Sequence, residues 1–128
     1  MQFRPEMIEA IKAGRKTQTR RPMKAGDVQW WDHPEIPEYE LKSKVYDGKG
    51  RIRWRVGHCY SICPGRGKLG IGFIEILAIW RQPVREISEA DALAEGFENR
   101  EAFLAAWKAL YPKGNLEAHV WVLEFRLV

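Results

Sequence analysis

The longest apolar segment of the chain, Leu69 to Trp80, breaks step within itself. Leu69, Ile71 and Phe73 keep one alternating phase, whereas Ile74, Ile76, Ala78 and Trp80 keep the other. Successive side chains of a strand point to opposite faces, so one strand holds both sets only through a bulge, which bends and coils it. Strands of that kind close small barrels. Pro83 has no amide hydrogen to offer and bars a central position in a sheet. The segment therefore predicts a small, strongly curved sheet.

Other stretches supply more strands. Residues 51–56 alternate Arg51, Arg53 and Arg55 against Ile52, Trp54 and Val56, which predicts a half-buried strand with a basic outer face. Cys59 to Cys63 reads as the next strand, ending in the turn Pro64-Gly-Arg-Gly-Lys68. Val120 to Val128 places Trp121, Leu123, Phe125 and Leu127 on one side of a last strand. Pro22 to Gly50 lacks periodicity and predicts an excursion over the barrel, with a hairpin turning at Asp47-Gly48. Helices are expected over residues 5–13, stopped by Gly14, and over 89–95, capped by Ser88 and ended by Gly96. A third follows Asn99, with Phe103, Trp107 and Leu110 as its apolar stripe, and ends at Tyr111-Pro112. This inventory argues for one α+β domain over residues 1–128, a small, mostly antiparallel barrel with about three short helices.

Composition narrows the class of function. The chain has 128 residues, 45% hydrophobic and 30% charged, which suits a globular domain rather than a disordered one. Its apolar runs are too short to span a bilayer, and Met-Gln-Phe-Arg-Pro at the start carries no apolar signal region, so a cytoplasmic protein without membrane contact is expected. Cys59 and Cys63 read as free thiols. His33, His58 and His119 are scattered without paired ligand spacing, and neither metal nor cofactor is expected. A net charge of +4 permits nucleic acid binding without requiring it.

The densest polar cluster is Gly14-Arg-Lys-Thr-Gln-Thr-Arg-Arg21. No apolar core accommodates so many donors without partners, so they face water or a ligand. Regular alternation would send Lys16 and Thr19 to opposite faces of a strand, and their cooperation demands a turn or bulge between Lys16 and Thr19. Glu95 breaks a different rule: a carboxylate in the last turn of a helix meets the negative end of the dipole.

The cluster resembles the signature of the ASCH domains of the PUA-like superfamily, Gly-x-Lys-x-x-Glu-x-Arg, with Gly14, Lys16 and Arg21 matching and Thr19 in place of the glutamate. The Lys16-Thr17-Gln18-Thr19 form is similar to that of small bacterial ASCH amidohydrolases acting on N4-acetylcytidine. Pro64–Lys68, Ala94-Glu95-Gly96 and Val120–Phe125 extend the likeness over most of the chain. The resemblance implies a PUA-like pseudo-barrel and a Thr-Lys-Glu triad, matched here by Thr19, Lys16 and Glu95.

Those residue types fit metal-free amide hydrolysis, which needs a nucleophile, a base and an acid for the departing amine. Thr19 attacks, Lys16 accepts its proton once burial and the cations of Arg15, Arg20 and Arg21 lower its pKa, and Glu95 protonates the leaving nitrogen. Arg20, Arg21, Tyr60, Arg66, Lys68, Trp30 and Trp31 are the expected contacts to a modified pyrimidine nucleoside. The alternative is an RNA-binding module, with or without ribonuclease activity, using the arginine face of residues 51–55 and the exposed tryptophans.

Overall fold

The strand pattern resolves into two antiparallel sheets in the computed structural model, which describes residues 1–30 and 43–128, with Trp30 as backbone only. In chain order the elements are α1 (Pro5–Lys12), β1 (Gln18–Pro22), β2 (Val28–Trp30), β3 (Lys44–Tyr46), β4 (Ile52–Arg55), β5 (Cys59–Ser61) and β6 (Phe73–Pro83). A 3-10 turn (Val84–Glu86), α2 (Glu89–Ala94), α3 (Arg100–Leu110) and β7 (His119–Leu127) complete the fold. The larger sheet runs β1-β7-β6-β5 and the smaller one β2-β3-β4. This is an α+β fold with three α-helices among the described residues and an antiparallel half-barrel sheet. Among those residues no helix is long and apolar enough to cross a membrane.

The expected bulge is present, but four residues further along than the break in pattern. Pairing of β6 with β7 slips between Ile76 and Ala78. Gly57 donates to the Ile76 carbonyl at 2.7 Å and the Ile76 amide to the His58 carbonyl at 3.0 Å, so the end of β5's approach fixes the irregularity there. Leu77 is extruded, and Ile79, rather than Ala78 or Trp80, joins Ile74 and Ile76 in the core. Leu69 and Ile71 precede the strand and are exposed.

β7 is the shared wall of two cores. Trp121, Leu123 and Phe125 face a cluster with Ile74, Ile76, Ile79, Val45 and Trp54, while Val120 and Val122 face Val84, Ile87, Phe103 and Trp107 beneath α2 and α3. That two-sided burial explains why the run Val120-Trp-Val-Leu123 shows no polar alternation. Hydrogen bonds tie the sheets together through Asp27, whose Oδ2 accepts from the Lys24 amide, Trp121 Nε1 and Arg53 Nη1.

The basic strand face expected at residues 51–55 is largely spent on the fold. Arg53 is paired with the buried Asp27 and stacks on Trp54, and Arg51 pairs with Asp47 in the hairpin turn. Of the apolar set, Trp54 is buried but Ile52 is exposed. The Asp47-Gly48 turn is as expected, with Asp47 Oδ1 accepting the amides of Lys49 and Arg51 at 2.9 Å each.

Leu123→Ala should cost about 2–5 kcal/mol, because the fully buried side chain leaves a cavity between packed sheets. Leu77→Ala, at the bulge with 43% exposure, should stay within about 0.5 kcal/mol of wild type. Urea unfolding midpoints of the two variants check both.

Candidate active site

Helix α1 ends at Gly14, whose φ of +80° is the left-handed conformation that suits glycine. The amides of Arg15 and Lys16 both turn back to the Ala10 carbonyl, at 2.9 and 3.1 Å. The Thr17 amide reaches the Ala94 carbonyl at 2.8 Å, and the Thr17 carbonyl accepts from the Phe125 amide at 2.9 Å. This link is therefore bound to α1, α2 and β7 before β1 begins at Gln18. Lys16 stands outside the strand and Thr19 within it, opposite Leu123, so strict alternation does not govern the pair.

Lys16 is buried, and its Nζ donates three hydrogen bonds: to the Gln18 carbonyl at 2.7 Å, the Glu95 carbonyl at 2.8 Å and Glu95 Oε2 at 3.1 Å. Three protons meet three acceptors, which is the geometry of a charged ammonium. The placement also removes the anomaly of Glu95. As the C-cap of α2, Glu95 meets the negative helix end, yet Lys16 satisfies its main-chain oxygen and its carboxylate together. Arg20 completes the cluster from β1, with Nη1 at 2.9 Å from Glu95 Oε1 and 3.1 Å from Gln18 Oε1, and Nη2 at 3.5 Å from Asp91 Oδ2. Gly96 follows at φ +95°, where a Cβ would come within 3.2 Å of Met7 Sδ and 3.6 Å of Lys16 Cβ. Glycine thus allows the end of α2 to lie against α1 and the lysine.

Burial pushes the Lys16 pKa below the 10.5 of an ordinary lysine; the Glu95 carboxylate opposes that, and Arg21 and Arg20 add to it. Arg15, expected to share this task, is exposed and takes no part.

Lys16, Thr19 and Glu95 line one cavity of about 310 Å³. The Thr19 hydroxyl has no hydrogen-bond partner among the described residues and is not sealed from the cavity. Aromatic side chains make the walls: Phe3 from the N-terminal segment, Phe97 from the α2–α3 link, and Phe103, Trp107 and Tyr111 from the face and end of α3. Sequence reading missed this wall, taking Phe103, Trp107 and Leu110 as a core stripe alone. The signal was present in Leu110-Tyr111, large apolar groups that continue the stripe to the helix end, where both are exposed and line the cavity. Arg4 and Arg21 also line the cavity.

Other expected contacts lie elsewhere. Tyr60 packs on the first core, and its hydroxyl accepts the Arg55 amide at 2.8 Å, bracing the β4–β5 turn rather than a ligand. Arg66 and Lys68 are exposed on the β5–β6 connection, away from the cavity lining. Trp31 and the side chain of Trp30 fall outside the described residues. Arg20 lines the cavity, but its guanidinium is occupied by Glu95, Gln18 and Asp91, which makes it a holder of Glu95 before it is a substrate contact. Cys59 and Cys63 are free thiols. Among the described residues no three His, Cys, Asp or Glu side chains gather as a metal site.

No family model and no curated protein matches the sequence. Solved structures do match in shape. Protein EF3133 from Enterococcus faecalis V583, of family DUF984, superposes with a TM-score of 0.57 at 17% identity, covering 94% of this chain and 68% of that one. The ASCH domain from Lactobacillus crispatus JV V101 gives 0.56 at 19% identity, covering 94% and 69%. The fold is ASCH-like. At such identity the ASCH-like fold is what the two chains share, and the chemistry rests on the side chains of this one.

Glu95→Gln leaves Lys16 and Arg20 without their shared carboxylate and should cost about 3–5 kcal/mol, read from the urea midpoint. The lowered Lys16 pKa also sets a pH dependence. Between that value and 10.5 the unfolded chain binds the proton that the folded chain has released, so stability rises with pH across this window and is flat below it. Lys16→Met should lack the increment when unfolding is followed from neutral pH to pH 10.5.

Proposed function

We propose that the cavity is the active site of a metal-independent amidohydrolase that removes the acyl group from N4-acylated cytosine nucleosides such as N4-acetylcytidine, giving cytidine and a carboxylate. The observation that carries this reading is the Thr19 hydroxyl, unpartnered among the described residues, in the same cavity as the buried Lys16–Glu95 pair. A cavity of about 310 Å³ with aromatic walls suits one nucleoside rather than a length of polymer.

The resting pair is ionic. In water, moving the lysine proton to a glutamate is uphill by about 8 kcal/mol, from the difference between ordinary pKa values. Burial penalises two separated charges more than the neutral pair, and so narrows that gap along a hydrogen bond of 3.1 Å. One transfer creates both catalysts: a neutral Lys16 amine and a Glu95 carboxylic acid. Lys16 then takes the Thr19 proton as Oγ1 bonds to the acyl carbon, and Glu95 protonates N4 as the carbon–nitrogen bond breaks. Cytidine leaves, an ester remains on Thr19, and the pair is ionic again. A second transfer lets Lys16 deprotonate water, which cleaves the ester while Glu95 returns a proton to Thr19. The cytosine ring eases departure because it delocalises charge on N4.

An RNA-binding module is the weaker reading. Exposed Lys24 and Lys49 around a second hollow favour phosphate contact, but Arg51 and Arg53 beside them are paired with Asp47 and Asp27.

Thr19→Ala should lower conversion of N4-acetylcytidine to cytidine by on the order of a thousandfold or more, with Thr19→Ser retaining measurable turnover. Chromatography of the two pyrimidines reads the rate. An undiminished rate in the alanine variant removes Thr19 as nucleophile.

A further inference from the structure

Four cations line the cavity, Arg4, Lys16, Arg20 and Arg21, and two of them have an acid. Lys16 and Arg20 share Glu95, and Arg20 also reaches Asp91. Arg21 has none among the described residues. Its Nη2 donates to the Gln2 carbonyl at 2.8 Å, its Nε is buried without a partner, and its guanidinium lies over the Phe3 ring at 5.0 Å. A half-buried guanidinium answered by one neutral carbonyl, with its Nε shut off from water, is an incompletely compensated charge, and charges taken out of water are ordinarily paired. Withdrawal from water also lowers its pKa from the ordinary arginine value, with Glu95 and Tyr111 opposing and Arg53 adding to the effect. Arg4, exposed and likewise without an acidic partner, lines the same cavity.

We propose that Arg21, assisted by Arg4, recognises an anionic oxygen group on the ligand, a phosphate monoester or a carboxylate, so that the substrate is an anionic N4-acylated cytosine derivative rather than a neutral nucleoside. This rests on the cavity being the substrate site of the preceding section. The planar fork of arginine matches both oxyanions, and the Phe3 ring behind it restricts the plane in which the fork can present its donors. A neutral nucleoside leaves that charge unanswered. The anion supplies the missing partner and makes Arg21 a specificity-determining residue.

Titration calorimetry of the full chain with three probes tests this: cytidine, cytidine 5′-monophosphate and N4-succinylcytidine. At least one anionic probe should bind ten times more tightly than cytidine, with an advantage that shrinks as salt is raised. A preference for the monophosphate places the anion on the sugar side, and a preference for the succinyl compound places it on the acyl group. Arg21→Gln should abolish the advantage. Arg21→Lys, which keeps the charge but loses the fork, should reduce it several-fold, and it serves alone if the glutamine variant does not fold. The inference is overturned if neither anionic probe exceeds cytidine, or if the advantage survives unchanged in the folded variants. Anion preference without hydrolysis of N4-acetylcytidine sinks the hydrolase reading and keeps this one, and hydrolysis without anion preference does the reverse.

Discussion

The Lys16 ammonium, closed on three sides by the Gln18 carbonyl, the Glu95 carbonyl and the Glu95 carboxylate, is the interaction on which the rest of this structure depends. It joins the link after α1, the start of β1 and the end of α2 at one point. Withdrawing such charges from water is expensive, and a pair of well-packed apolar residues often serves stability as well or better. The chain nevertheless retains lysine, glutamate and arginine there, beside a cavity and a free hydroxyl. A site that needs protons to move is a physical reason for that choice. A site that needed only stability would not require it.

β7 holds the site in place. Because it is buried on both faces, it fixes β1 on one side and β6 on the other, and Thr19 on β1 is registered against Leu123. The helices α2 and α3 cover its second face and carry Glu95 and the aromatic wall. The proposed reactive groups thus come from β1, the link before it and the end of α2, and all line the one cavity.

Much of this was legible in the sequence where the cause is local. Ser88 and Asn99 cap helices through oxygens that accept the amides of Asp91 and Ala102, three residues on, and both were readable. The irregularity between Lys16 and Thr19 followed from side-chain alternation together with the requirement that the two residues cooperate. Glu95 announced itself by violating helix polarity. Causes at long range were not legible. The bulge in β6 sits at Leu77 because Gly57 and His58 bond to Ile76, and nothing inside residues 69–80 encodes that. Arg20 and Arg21 are adjacent arginines with no difference in sequence, yet one is locked to Glu95 and Asp91 while the other faces the cavity with a charge to spare. Tyr60, Arg66 and Lys68 carried no local signal separating a contact from a brace or an exposed turn.

The proposed chemistry requires Lys16 to be a shielded ammonium that a nucleoside in the cavity can sense. Nitrogen-15 NMR of its Nζ measures this directly. Three attached protons protected from exchange with water at neutral pH, and a resonance that moves when N4-acetylcytidine is added, are the expected result. Protons exchanging as fast as those of surface lysines, or a signal indifferent to the nucleoside, would contradict it.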